Sequence, residues 1–74
     1  MKNIKIIAEI LDENKKNIKK IDNLNQYNWD SMAKINLITI IDKKYKKNIN
    51  TKKLQSLKTI DNLDQLIEKT IKKK

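Results

Sequence analysis

Apolar residues recur at helical spacing in three stretches of this chain. Ile4, Ile7, Ala8 and Leu11 fall at i, i+3, i+4 and i+7, which predicts a helix from about Lys2 to Glu13 with Lys5, Glu9 and Asp12 on its wet side. From Asn14 to Asp30 the pattern decays into Asn and Lys, with Ile18, Ile21 and Leu24 about three apart. Such a stretch is either a long connection pinned by those apolar residues or one that contains a short helical turn. Asp30 and Ser31, both good N-cap types, open a second helix that runs to about Lys46. After a break at Asn48 to Asn50, Thr51 to about Leu57 reads as one or two turns with Leu54 and Leu57 facing inward. Thr59 then caps a last helix with Asp61 in its first turn and Ile60, Leu63, Leu66, Ile67 and Ile71 on its apolar face, while Lys72, Lys73 and Lys74 complement its negative end. Nothing reads as a strand. The expected fold is all-α, a small four-helix bundle of three main helices and a short third one, with a long first loop, as a single domain over 1–74.

The second helix carries the most information. An advance of about 100° per residue places Ala33, Leu37, Ile38, Ile40, Ile41 and Tyr45 on one broad arc, and Asn36, Thr39, Asp42, Lys43 and Lys46 on the other. Met32 and Ile35 fall on the polar arc, directly after Ser31. Two apolar residues there form a small docking patch, cover the long loop, or merely sit exposed. The spacing leaves those readings open.

Composition narrows the chemistry. A chain of 74 residues buries about 60% of its unfolded surface, so a surface function is the better first expectation than a deep active site. There is no Cys and no His, which removes disulfides, thiolate nucleophiles, most zinc sites and any Ser-His-Asp relay. No catalytic residue and no metal ligand set is expected. No apolar run approaches the roughly 20 residues of a membrane span, and Glu9, Asp12 and Glu13 lie where a signal peptide is apolar. The chain reads as cytoplasmic.

The net charge of +9 suggests nucleic acid. Every basic residue is Lys, however, and Lys, Ile and Asn supply 42 of the 74 residues while Arg, Gly and Pro are absent. That is the signature of an AT-rich coding bias, apart from the missing Phe. The absent Arg also removes the commonest specific contact to guanine. By segment the lysines are spread, with net charges of +3 over residues 14–29, +4 over 31–47 and +3 over 48–58. No nucleic-acid partner is expected on this count.

Ser31 has two readings. As an N-cap it contributes about 1 kcal/mol by accepting a backbone N–H. Alternatively it carries a phosphate ester, which the positive start of the helix favours, with Asp30 taking over the cap.

The segment Trp29-Asp30-Ser31-Met32-Ala33-Lys34-Ile35-Asn36-Leu37, running on to Tyr45, resembles the Asp-Ser-Leu motif and second helix of acyl carrier proteins, with Met32 where Leu is usual. Leu57-Lys58-Thr59-Ile60-Asp61-Asn62-Leu63 is similar to the start of that family's last helix, and the first helix and long loop correspond in length. The resemblance implies a non-catalytic carrier whose Ser31 receives 4′-phosphopantetheine from a separate transferase and holds acyl intermediates as thioesters. It implies Asp30 as the motif acid and possible cap, and a docking surface of Met32, Ile35, Asn36, Thr39, Asp42 and Lys43 for acyl-loading and acyl-using enzymes, on a monomer. One departure stands out. Members of the family are typically acidic along this helix, whereas residues 31–47 carry five lysines against Asp42 alone. With Trp29 in front of Asp30, this points to a dedicated stand-alone carrier, serving for example a surface-polysaccharide, lipid-modification or secondary-metabolite pathway. The alternatives are a basic helical protein that binds nucleic acid or an anionic surface, and an interaction module in which Ser31 is only a cap.

Overall fold

Six of the eight residues of α1 (Ile4–Leu11) are apolar, and the helix buries a wide face because it has neighbours on two sides. Ile6, Ile7, Ile10 and Leu11 are buried, Ile4 and Ala8 half-buried, and only Lys5 and Glu9 face water in this computed structural model, which describes residues 1–72. At about 100° per residue that apolar arc spans roughly 200°, wider than the stripe of Ile4, Ile7, Ala8 and Leu11 that the spacing predicts. One neighbour is α2 (Ser31–Tyr45). The other is α4 (Ile60–Lys72), to which the start of α1 is fastened by Asn3. The buried Asn3 donates its backbone N–H to Asp64 Oδ1 at 3.0 Å and its side-chain amide to Glu68 Oε1 at 3.3 Å.

The short α3 (Thr51–Ser56) starts where the Asn50 side chain accepts the N–H groups of Lys52 and Lys53. It contributes Leu54 to the core, which also holds Leu37 and Ile41 of α2 and Ile60, Leu63 and Ile67 of α4. Thr59 and Asn62 cap α4 reciprocally, the Asn62 N–H donating to Thr59 Oγ1 at 3.1 Å and the Thr59 N–H to Asn62 Oδ1 at 3.3 Å. The architecture is a small all-α fold of four helices, with no strand among the described residues. No described helix is long and apolar enough to cross a membrane. The expected roles of Lys73 and Lys74 at the end of α4 lie outside the described residues.

The long first connection contains two single 3₁₀ turns, Lys15–Asn17 and Leu24–Gln26. It is held chiefly by backbone. Leu24 N–H donates to the Lys58 carbonyl at 2.8 Å, Ile60 N–H to the Asp22 carbonyl at 2.9 Å and Asp61 N–H to the Lys20 carbonyl at 3.0 Å, so the loop lies along the start of α4. Ile18 and Leu24 are buried, but Ile21 is 83% exposed and pins nothing. The backbone pairing of residues 20 and 22 with α4 leaves the Ile21 side chain pointing to water. Tyr27 supplies the missing fastening: its hydroxyl donates to the Asn17 carbonyl at 2.9 Å and also meets the Asp22 carboxylate. Burial, and then the Asp22 carboxylate beside it, push the Tyr27 phenol above its ordinary pKa.

Two further expectations are revised. Tyr45 does not belong to the core arc of α2, since it sits in the last turn and is 37% exposed. Ile49, inside the predicted break, is buried and closes the link between α2 and α3. The chain has no glycine, and the two positions with left-handed backbone among the described residues are filled by Asp12 (φ 53°) and Lys46 (φ 54°), which end α1 and α2.

Candidate functional site

The start of α2 divides its work between two adjacent residues. Asp30 is extended, and its Oδ1 accepts the Ala33 N–H at 2.9 Å. Ser31 is the first residue inside the helix; it is exposed and takes no part in the cap. The choice between capping and display is therefore made by geometry: Asp30 caps and Ser31 is displayed.

Around Ser31 the ground is partly apolar. An open groove of about 270 Å³ runs from Ser31 between α2 and α3, lined by Lys34, Ile35 and Ile38 on one wall and Thr51, Leu54 and Gln55 on the other. A larger depression of about 440 Å³ lies between Met1, Lys2 and α4. It is lined by Asp61, Asp64 and Glu68, which are engaged by Lys20, by Asn3, and by Lys2 and Asn3 respectively, contacts that hold the loop and the start of α1 to α4. The half-buried Lys34 places its ammonium 5.7 Å from the centre of the half-buried Trp29 ring, within the range of a cation–π contact. That contact fixes a cation one helical turn after the serine. Neither this pair nor the α3 wall was legible from spacing, because both join residues of different elements.

The six residues expected to form a docking face, Met32, Ile35, Asn36, Thr39, Asp42 and Lys43, are all exposed on the outer side of α2. Met32 is 63% and Ile35 56% exposed, so neither covers the long loop. Thr39 donates its hydroxyl proton to the Ile35 carbonyl at 2.9 Å, which leaves that oxygen able only to accept from anything outside. Ala33, Leu37 and Ile41 hold the opposite side of the helix in the core.

Charge is distributed unevenly among the helices. Residues 31–58, which form α2, α3 and their link, carry eight lysines and a single acid, Asp42. Carboxylates concentrate instead on α4, which carries Asp61, Asp64 and Glu68, and there ion pairs join Lys2 and Lys72 to Glu68 and Lys20 to Asp61. No group of three potential metal-ligating side chains occurs among the described residues.

These features define a small all-α protein that displays one serine at the capped, exposed start of a helix. No family model, no curated protein and no solved structure matches the chain.

Proposed function

We propose that this protein is a carrier that holds acyl or related intermediates as thioesters on a 4′-phosphopantetheine arm attached to Ser31. The observation that supports the reading best is the division of roles at the start of α2, where Asp30 accepts the Ala33 N–H and the neighbouring Ser31 hydroxyl is left exposed. The sequence resemblance to acyl carrier proteins stands beside it. The residues present fit such a group. Ser31 is open to a modifying enzyme, Lys34 lines the same groove as a cation suited to a phosphodiester, and Ile35, Ile38 and Leu54 give the groove an apolar side.

Attachment needs Ser31 Oγ to form a bond to phosphorus as the bond from that phosphorus to its donor breaks, with the hydroxyl proton passing to a base. On this reading a separate transferase supplies that base. When bound, the arm supplies the thiol that this cysteine-free chain lacks. On this reading the protein is not an enzyme. Met32, Ile35, Asn36, Thr39, Asp42 and Lys43 form its docking face, and its cytoplasmic, monomeric state and dedicated pathway belong to the same proposal.

The test is intact mass after incubation with the cognate transferase and its donor. One phosphopantetheine is added to the wild type and none to Ser31→Ala; a cognate transferase that adds no mass to the wild type sinks the reading.

A second reading, a binder of nucleic acid or anionic surfaces, has one observation in its favour, the lysine-rich half formed by α2 and α3. Its mark is binding to nonspecific duplex that falls steeply and log-linearly with salt.

A further inference from the structure

The carrier reading leaves open what kind of surface meets α2. The exposed face has an apolar pair, Met32 and Ile35, next to Ser31, and polar Asn36, Thr39 and Asp42 beyond it. Its far end and the adjoining α3 carry exposed Lys43, Lys44, Lys46 and Lys52. Lys43 and Lys44 lie in the last turn of α2, where they also complement the negative helix end. That local role extends to Lys46 at the C-cap but does not account for Lys52 or for the near absence of acid over residues 31–58.

We infer that this face of α2 docks a protein partner presenting an apolar patch rimmed by Asp and Glu. The inference deepens the carrier reading and rests on it only in taking the surface beside Ser31 as the one presented. The apolar pair requires a partner with an apolar site to cover it, which a phosphate backbone does not offer. Asp42 and Asn36, beyond the apolar pair, are ordinary hydrogen-bonding members of a protein interface, in which a donor set within the acidic rim meets the Asp42 carboxylate; a phosphate backbone offers it no such donor. Lysines at the rim steer encounter with an acidic surface and repel a basic one, so the charge selects the partner while Met32 and Ile35 hold it. A second copy of the chain is a poor match, because the carboxylates of its α4 are already engaged, Glu68 with Lys2 and Lys72, Asp61 with Lys20, and Asp64 with Asn3.

The test uses the unmodified full chain, isotopically labelled, so its outcome is independent of whether Ser31 takes an arm. Amide shifts are followed on titration with a short helical peptide carrying a leucine pair ringed by Glu, with the same peptide carrying Gln in place of Glu, with a DNA duplex and with phosphatidylglycerol vesicles. The expected result is that the Glu peptide binds about tenfold more tightly than the Gln peptide at low salt, with shifts centred on Met32, Ile35, Thr39 and Lys43 and weakened by added salt. Met32→Asp with Ile35→Asp, shown folded by circular dichroism, then loses the binding. The inference is overturned if the two peptides bind equally, if the shifts centre on the loop lysines of residues 15–20, if duplex or vesicles bind more tightly than the Glu peptide, or if the same residues shift with protein concentration alone. Absence of the phosphopantetheine mass with the cognate transferase would defeat the carrier reading separately.

Discussion

The Ala33 N–H donates to Asp30 Oδ1 at 2.9 Å, and this one bond releases Ser31 from the capping role its position invites. Asp30→Ala should therefore lower stability by about 1 kcal/mol, the usual cost of a lost N-cap, measured as a shift in the urea midpoint. Ser31→Ala should leave the midpoint nearly unchanged, since its hydroxyl is exposed and outside the cap. Equal losses in the two variants would show that Ser31 shares the cap.

Tyr27 joins two parts of the long loop through the Asn17 carbonyl and the Asp22 carboxylate. Tyr27→Phe keeps the ring and removes the hydroxyl, and is expected to cost about 1 kcal/mol. Because Asp22 also accepts the Ile60 N–H through its carbonyl, amide exchange at Ile60 and Asp61 should quicken in the variant.

Lys46 ends α2 with left-handed backbone at φ 54°, a conformation that is strained for any residue with a Cβ. Lys46→Gly should raise stability by about 1 kcal/mol, visible in the thermal midpoint. The same substitution in the middle of α2, for example Thr39→Gly, should act in the opposite direction.

Glu68 sets a pH dependence. The Lys72 ammonium, with the Asn3 amide and Lys2 beside it, holds its carboxyl below the ordinary carboxylate range, against a smaller opposing effect of burial. As pH falls the unfolded chain takes up this proton before the folded one does. The contribution is complete above the ordinary carboxylate pKa and is lost as pH drops from there through the lower folded value. Glu68→Gln should flatten the acid limb of the stability curve measured by urea midpoints. Glu13, whose carboxyl is held down by the Asn17 side chain, retains part of that limb.

How much of this was legible in the sequence follows from what each feature depends on. The start and extent of α2 could be read because Asp30 is a strong local start signal and the spacing of Ala33, Leu37 and Ile41 is a one-helix pattern. The wide buried face of α1 could not, since Ile6 and Ile10 are enclosed by neighbours that no single-helix pattern describes. The loop failed for the same reason. Ile18, Ile21 and Leu24 look equivalent, and only pairing with residues far along the chain turns Ile21 out and brings Tyr27 in. At the candidate site, Ser31 and the exposed Met32 and Ile35 were evident from helical angle, while the groove needed α3 to be placed beside α2.

The backbone bonds from Lys20, Asp22 and Leu24 to residues 58–61 enclose the whole of α2 and α3 between them. A chain leaving the ribosome has made Ser31 well before it makes the strip that fastens the loop in front of it. The loop that leads to the serine-bearing turn is consequently fastened late even though its residues are synthesised early. On the carrier reading, an enzyme that recognises the folded loop together with Ser31 has to wait for the start of α4 to emerge, so that attachment of the arm follows synthesis.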